Sequence, residues 1–482
     1  MTRKQTVHFF GFLVVIVLLL GMLGELLRDK ATTLSVLYSE PEQSLDVLIV
    51  GSSHVNCGYI PSMLWEENHL SACNVYSWSQ PMWVSYHYIL EALKTQTPKV
   101  IVLELYGMMY GHSYIMPEEI DRTSYANSFS IDPGWNRLQL IATAGRCGID
   151  LRDPFDFLAL PAYHARWRYL NWHDILYNTH DQHDSLKGYN LVMESAALEE
   201  PGPFVVEQAR EPYEYCVEYL EKITALCEKR QIPLVFTMAP YVYSQEEAEL
   251  CRWIEKYSAD KGIPFLNYLG EDGARVGFDY GTDLSDFGHC NYRGAQKITQ
   301  DLCDHLRTWL PMPEKADNPA CDLIEEDYQR FERVIRLNGI MEKKTLSDWL
   351  CAALADEQVR LLISDTAQNA AASGLVRKAL GAEAGGAFYG IVQGPDVQRL
   401  APEQAVELEL FGEDGAALCR AQDAVILLNN TQTPAPEGCA LQIVLYDMIL
   451  QRPVEAVWLM PGEDQTFYAR EFTSDILPLY RK

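Results

Sequence analysis

The 482-residue sequence predicts an α/β protein with a parallel sheet and helices on both of its faces. Short apolar runs that end in glycine, serine or tyrosine alternate with amphipathic segments at helical spacing. This alternation is typical of strand–helix–strand units. Two flanking patterns add an N-terminal transmembrane helix and, past Pro311, a smaller α/β or β-rich module.

The first predicted element is an apolar helix. Arg3 and Lys4 precede an apolar run from Phe9 to Gly24, which with its flanks is just long enough to cross a membrane. Positive charge before the run predicts a single-pass protein of the cell membrane, with a cytoplasmic amino terminus and residues after Arg28 outside. A cleaved signal peptide is the alternative, but the run is long for one and no Ala-x-Ala site follows. Residues 1–30 are therefore expected to form an anchor.

The next element is a strand that delivers a serine to a turn. Leu45 to Val50 is apolar and rich in β-branched residues, and the run stops at Gly51, which predicts a buried strand. Ser53 in the following turn is the candidate nucleophile. Its alternative role is to cap the next helix.

Other predicted strands also end in polar or aromatic residues. In a parallel sheet, ligands bind beyond the carboxyl ends of the strands, so Ser79, Tyr106 and Tyr241 are expected near Ser53. His54 is expected to shape the same pocket rather than to act as a base. After a second strand before Asn74, further strands are predicted at 99–105, 232–238 and 264–268, with helices at 212–230 and 246–259.

A polar loop before a predicted helix contains Asp286 and His289 three residues apart. A serine becomes nucleophilic when a base takes its proton, and a histidine base works best when a carboxylate fixes its tautomer. The two side chains can converge if the loop curls, and the order Ser, Asp, His is one that such triads take. Asp283 is a second candidate for the orienting carboxylate.

These residues resemble the SGNH/GDSL hydrolase superfamily over roughly residues 44–310. Gly51-Ser52-Ser53 stands where its Gly-Asp-Ser block stands, and Asp286 to His289 matches its Asp-x-x-His block. Serine in the middle of the first block, followed by His54, is similar to the membrane-associated branch with the teichoic-acid D-alanyl transfer protein and the alginate O-acetylation proteins.

The resemblance implies a three-layer fold and an acyl-enzyme at Ser53, with His289 as base and Asp286 as its orienting partner. It also implies a cell-surface glycan as substrate, no cofactor, and room for a membrane protein that supplies acyl groups. Hydrolysis and transfer to a sugar hydroxyl both stay open.

Two blocks of the family pattern are missing. No glycine follows the second predicted strand, and no Gly-x-Asn-Asp follows the third. The oxyanion is therefore expected to rest on the Ser53 amide, with Ser79 or Gln80 as helpers. Each missing donor can cost about 3–4 kcal/mol of transition-state stabilisation. A catalytically inactive protein that binds glycan or assists polymer assembly is thus the alternative function.

Residues 107–205 interrupt the alternation and are rich in aromatics, which predicts a cap over the sheet. Trp167 is a candidate substrate contact there, although its helical spacing to Leu170 and Asp174 is also typical of packing. Substrate contacts are thus expected at His54, Tyr106, Trp167 and Tyr241. The cap histidines, His164, His173, His180 and His183, lack the spacing of metal ligands, so no metal is expected.

Composition limits the remaining functions. A net charge of −28 argues against nucleic-acid binding, which uses basic patches. Twelve cysteines occur without a Cys-x-x-Cys pair, so neither metal ligation nor a disulfide framework is expected. The predicted organisation is an anchor, a catalytic domain at 31–312, a linking helix at 313–342 and an accessory domain at 343–482. In the accessory part, strands are predicted at 359–365, 405–410, 424–428, 441–446 and 454–459, and a helix at 367–380.

Overall fold

The computed structural model describes most of the chain, with several gaps. The described ranges are 2–28, 33–109, 127–146, 163–170, 184–310, 319–381, 386–401, 404–410, 413–419, 424–428, 431–432, 438–450, 452–462 and 469–472. Much of the predicted cap, including His173, His180 and His183, lies outside them. The chain forms two compact units that divide between Phe331 and Glu332, inside the predicted linking helix.

The first unit contains a five-stranded parallel sheet in the order β2-β1-β3-β4-β5. The fold-class prediction of a mixed α/β protein on a parallel sheet is confirmed. β1 to β4 are buried along their whole length, which explains why each appears in the sequence as an apolar run. The strands are β1 (Val47–Gly51), β2 (Ala72–Tyr76), β3 (Val100–Glu104), β4 (Leu234–Met238) and β5 (Phe265–Asn267).

Helices cover the sheet in two groups. α5 (Met82–Ala92) packs against α6 (Trp135–Arg146) and α7 (Glu214–Arg230). On the other side, α3 (Ser53–Gly58) and α4 (Pro61–Asn68) pack against α10 (Tyr292–Trp309). Leu48 and Val50 of β1 join one core with Ile89 of α5 and Leu220 of α7, and the alternate residues of the strand point to the opposite face. The helices are α1 (Arg3–Leu27), α2 (Ser35–Ser39), α3 (Ser53–Gly58), α4 (Pro61–Asn68), α5 (Met82–Ala92), α6 (Trp135–Arg146), α7 (Glu214–Arg230), α8 (Gln245–Lys261), α9 (Glu271–Arg275), α10 (Tyr292–Trp309) and α11 (Pro319–Met341).

The N-terminal helix α1 is long and apolar enough to cross a membrane. Thr2 and Gln5 form a capping box at its start, which satisfies two free backbone amides. Its apolar side chains are exposed over most of its length, and burial begins only near Leu27. Arg28 then donates from Nη1 to the carbonyl of Phe129 at 2.8 Å, so the end of the helix is tied to the first unit.

The second unit is built on two antiparallel sheets. One has six strands in the order β15-β14-β13-β6-β7-β8, and the other has four in the order β12-β11-β10-β9. The strands are β6 (Val359–Asp365), β7 (Phe388–Gln393), β8 (Asp396–Arg399), β9 (Ala405–Leu410), β10 (Glu413–Cys419), β11 (Ile426–Leu428), β12 (Thr431–Gln432), β13 (Leu441–Asp447), β14 (Arg452–Leu459) and β15 (Ala469–Phe472), with helices α12 (Leu346–Leu354) and α13 (Ala370–Ala379). The sequence predicted β6, β9, β11, β13 and β14 and missed β7, β8, β10, β12 and β15.

Candidate active site

Ser53 lies in the turn that joins β1 to α3, here called the nucleophile turn because Ser53 is the candidate nucleophile. Ser52 caps α3 by accepting a hydrogen bond from the His54 amide at 3.3 Å, and Ser53 is the first residue of the helix. The turn is tight, because a Cβ on Gly51 would lie 2.7 Å from Cγ2 of Val55 and 2.8 Å from Cβ of Glu104. Only glycine fits there without moving the turn. Ser53 therefore has both of its predicted features, a place in the nucleophile turn and a place at the start of a helix.

The Asp286–His289 loop curls back on itself. Leu284 and Cys290 form an antiparallel bridge, and the Ser285 amide donates to the carbonyl of His289 at 2.9 Å. Asp286 Oδ1 accepts from the amides of Gly288 and His289 at 2.7 and 3.0 Å. The carboxylate therefore organises the loop that carries the histidine.

Ser53, His289 and Asp286 form one hydrogen-bonded chain. His289 Nε2 lies 2.8 Å from Oγ of Ser53, and His289 Nδ1 lies 2.9 Å from both carboxylate oxygens of Asp286. A proton on Nδ1 is donated to Asp286, which leaves Nε2 as an acceptor for the serine proton. This is the geometry of a nucleophile, a base and an orienting acid.

The geometry distinguishes Asp286, which the motif spacing favoured, from Asp283, the second candidate for the orienting carboxylate. Asp283 is buried and accepts from Nζ of Lys297 at 2.6 Å and from the Asp279 amide at 2.8 Å. Its carboxylate therefore binds Lys297 and the Asp279 backbone. Partial burial acts to raise the pKa of Asp286. The hydrogen bonds from the His289 side chain and the Gly288 amide outweigh this and lower that pKa, which favours the carboxylate.

His54 lies behind the triad in a wall of aromatic rings. Its ring stacks on Tyr106 with centroids 3.9 Å apart and meets the edge of Tyr241 at 5.2 Å. Burial, with a smaller effect of His289, lowers the pKa of His54 well below its usual value, so His54 stays neutral. His54 and Tyr241 are buried while Tyr106 is partly exposed, and substrate contact at these three residues stays a prediction.

The oxyanion donors start from neighbouring strand ends. Gly51 of β1 pairs with Tyr76 of β2, so the turns after both strands meet at one edge of the sheet. Ser79 has a φ of +48°, a left-handed conformation usually taken by glycine. Gln80 is buried and binds the hydroxyls of Ser77 and Ser85. Ser79 thus has a backbone conformation that glycine takes readily, and its role as an oxyanion donor stays a prediction.

Trp167 lies beside the end of α1. It belongs to a short 3-10 helix, His164–Tyr169, and its ring is 62% exposed. Arg166 next to it donates from Nη1 to the carbonyls of Leu27 and Arg28 at 3.3 and 3.2 Å. These hydrogen bonds connect the short helix to the end of α1. Substrate contact at Trp167 remains a prediction.

Two exposed aromatic side chains near the triad were not predicted. Phe287 lies between Asp286 and His289 and is 69% exposed, and Trp78 in the turn after β2 is 50% exposed. Large apolar surface beside polar groups is typical of ligand sites. Trp78 lies in the segment after the second predicted strand and Phe287 lies inside the Asp-x-x-His block, so both positions were visible in the sequence.

The cysteines near the triad are not suited to be nucleophiles. Cys57 and Cys290 are buried, and burial raises the pKa of Cys57 to about 11 and that of Cys290 well above its usual value. Both thiols therefore stay protonated and unreactive. Nine cysteines of the described ranges are free thiols. Within those ranges, no group of three or more His, Cys, Asp or Glu side chains is placed to hold a metal ion.

No family model matches the sequence, and no curated protein matches it. Three solved structures are similar to part of the chain. A protein proposed to be an acylhydrolase, from Bacteroides fragilis, has a TM-score of 0.28 and 9% identity, covering 56% of this chain and 91% of its own. A protein proposed to be a lipolytic member of the G-D-S-L family, from Desulfitobacterium hafniense, has a TM-score of 0.27 and 10% identity, covering 54% and 98%. A GDSL-like lipase from Bacteroides thetaiotaomicron has a TM-score of 0.24 and 10% identity, covering 55% and 90%. TM-scores of this size carry no argument, so function has to be argued from the site.

Proposed function

We propose that the protein is an SGNH-type serine esterase or O-acyltransferase of the membrane-associated branch, which acts on acyl esters of cell-envelope polysaccharide. The observation that carries this proposal is the hydrogen-bonded chain from Ser53 through His289 to Asp286. Such a chain lowers the barrier to proton removal from the serine.

The reaction proceeds in two halves. Ser53 Oγ attacks the ester carbonyl while its proton passes to Nε2 of His289, and a tetrahedral oxyanion forms. The carbon–oxygen bond to the leaving alcohol then breaks, and His289 returns the proton to that oxygen. Water, or a sugar hydroxyl, next attacks the acyl-enzyme while His289 takes its proton. The ester bond to Ser53 Oγ then breaks, and His289 returns the proton to Oγ. Water gives hydrolysis and a sugar hydroxyl gives acyl transfer.

The site also supplies charge stabilisation in both halves. Asp286 faces the imidazolium that forms on His289, which offsets its positive charge. The Ser53 amide, at the first residue of α3, is the proposed donor to the oxyanion, with Ser79 or Gln80 after the neighbouring strand β2 as helpers. These groups stand in for the missing glycine and asparagine donors.

A carbohydrate substrate is supported by the aromatic rings beside the triad. Trp78, in the turn after β2, and Phe287, between Asp286 and His289, are both exposed. The C–H faces of a sugar ring pack on such surfaces, and the neighbouring polar groups can bind its hydroxyls. The length and apolar character of α1 support its role as an anchor that holds the site at the outer face of the cell membrane.

The test is a serine-directed label combined with turnover. The full-length protein in detergent should react with a fluorophosphonate at Ser53 and should hydrolyse a small acetyl ester. Ser53→Ala and His289→Ala should each remove most turnover, by about a thousandfold or more. His305→Ala, which removes a partly exposed histidine of α10, should leave turnover within about twofold. Unchanged turnover in both triad variants contradicts the proposal.

A second candidate function is glycan binding without catalysis. It is favoured by the absence of the family's glycine and asparagine after β2 and β3. Under this function the protein would bind an acetylated oligosaccharide, yet wild type would neither label with the fluorophosphonate nor release acetate. Labelling at Ser53 excludes it.

A further inference from the structure

A buried carboxyl group lies directly beneath the nucleophile turn. Glu104 ends β3 and is 1% exposed. A Cβ on Gly51 would lie 3.0 Å from its Oε2, so the carboxyl packs against the turn that leads to Ser53. Oε1 accepts from the Tyr106 amide at 3.0 Å. Oε2 is buried without a well-formed hydrogen bond, although the amides of Ala239 and Ser52 and the Ser52 hydroxyl are near enough to favour the charged form of the carboxyl.

This group has no counter-ion. No ion pair of Glu104 occurs within the described ranges, and an unpaired buried carboxylate is costly. Burial raises the pKa of Glu104 to about 8, although the amides of Tyr106, Ala239 and Ser52 act in the opposite direction. The carboxyl is therefore mostly a neutral acid at pH 7.

We propose that Glu104, as a neutral acid, is a positioning residue that supports the Ser52–Ser53 turn and holds Tyr106 against His54, and that its ionisation reduces turnover in alkaline solution. The inference rests on the proposed esterase function and extends it to a residue outside the triad.

The contacts connect Glu104 to the nucleophile along two routes. One runs through Gly51 and Ser52, whose hydroxyl caps α3. The other runs through Tyr106, whose ring stacks on His54 next to Ser53. An ionised carboxyl needs donors on both oxygens and draws these groups toward it. A shift of about 1 Å at the reacting atom can cost about a hundredfold in rate.

The groups that face Glu104 do not titrate in the same range. Tyr59, Tyr241, Cys251 and Cys290 are buried, and burial raises the pKa of each of them. Burial also raises the pKa of Tyr106 to about 12. The negative charge of Glu247, in the first turn of α8, also raises the pKa of Tyr106 and of Tyr241, as Glu104 does. Among these described groups, Glu104 is thus the one whose charge changes near pH 8.

The pH profile of ethyl acetate hydrolysis tests this inference on the full-length protein in detergent, with acetate release corrected for uncatalysed hydrolysis. Wild-type kcat should fall above about pH 8, by about tenfold per pH unit. Glu104→Gln keeps a neutral side chain of the same shape, so kcat at pH 7 should stay within about threefold and should not fall through pH 9.5. Glu104→Leu loses the bond to Tyr106 and should be slower at every pH.

The matched control is Glu91→Gln, which changes a buried glutamate of α5 that pairs with Lys94. It should keep the alkaline fall of wild type. A wild-type kcat that is flat to pH 9.5, or an unchanged alkaline fall in Glu104→Gln, overturns the role of Glu104 and leaves the esterase function standing. Absence of both labelling and hydrolysis in wild type at pH 7 overturns the esterase function and this inference with it.

Discussion

Asp286 binds its loop and its histidine at the same time. Its Oδ1 accepts from two backbone amides and from the imidazole of His289. The carboxylate therefore sets the position of the ring as well as its tautomer. Three residues of spacing made this convergence foreseeable, because a curled loop brings such side chains together. The resemblance already favoured Asp286 over Asp283 through its spacing to His289, and the structure adds the contacts that each carboxylate makes.

Asp286→Asn should lower kcat by about a thousandfold with little change in Tm. The amide group can donate toward Nδ1 and favour the wrong tautomer, while the loop keeps most of its bonds. Asp283→Asn is the matched control, because it weakens the bond to Lys297. It should lower stability by about 2 kcal/mol and keep most of kcat. Thermal unfolding and turnover of both variants check this pair, and the reverse pattern would assign the orienting role to Asp283.

At the scale of elements, continuous apolar runs were predictable, whereas the exposed β8 and the buried β7, whose run Gly390 interrupts, were not. β1 and β6 follow from continuous apolar runs that stop at polar or small residues. β8 is exposed at all four residues, so no hydrophobic period marks it. The left-handed Ser79 was also hidden, because serine rarely takes that conformation. Glu104 did leave a signal, a carboxylate between Leu103 and Leu105 in a buried strand, which is costly without a reason.

Two loops of the first unit carry exposed aromatic side chains, Trp78 after β2 and Phe287 before α10, and these rings should set substrate preference. Trp78→Ala and Phe287→Ala should each lower kcat/KM for an acetylated oligosaccharide by about threefold to tenfold, because ring stacking contributes about 0.5–1.5 kcal/mol. Ethyl acetate is too small to reach both rings, so its kcat/KM should stay within about twofold. Trp135→Ala is the control, because Trp135 on α6 is also an exposed aromatic residue. An equal loss on both substrates would contradict a role in glycan binding.

At the scale of the whole molecule, the apolar helix α1 is joined to the rest of the first unit without a long linker. Arg28 bonds to Phe129, and Glu25 pairs with Arg137 at 2.7 Å. α1 is therefore fixed to the first unit at its carboxyl end, while its apolar side chains stay exposed toward its start. Exposed apolar surface of this length is unfavourable in water and favourable in lipid.

The orientation of α1 gives the last prediction. Arg3 and Lys4 before the apolar run are matched by Arg28 and Lys30 after it, so the count of basic residues alone favours neither direction. The choice of a cytoplasmic amino terminus rests instead on the proposed function, because a cell-envelope glycan lies only outside the membrane. Protease added to intact cells stripped of wall should thus digest the catalytic unit, with a cytoplasmic marker left whole. The undigested protein should stay in the membrane fraction at full length, because an anchor is not cleaved. Full protection of the catalytic unit, beside a surface control that is digested, would place the triad inside the cell and contradict a cell-envelope substrate.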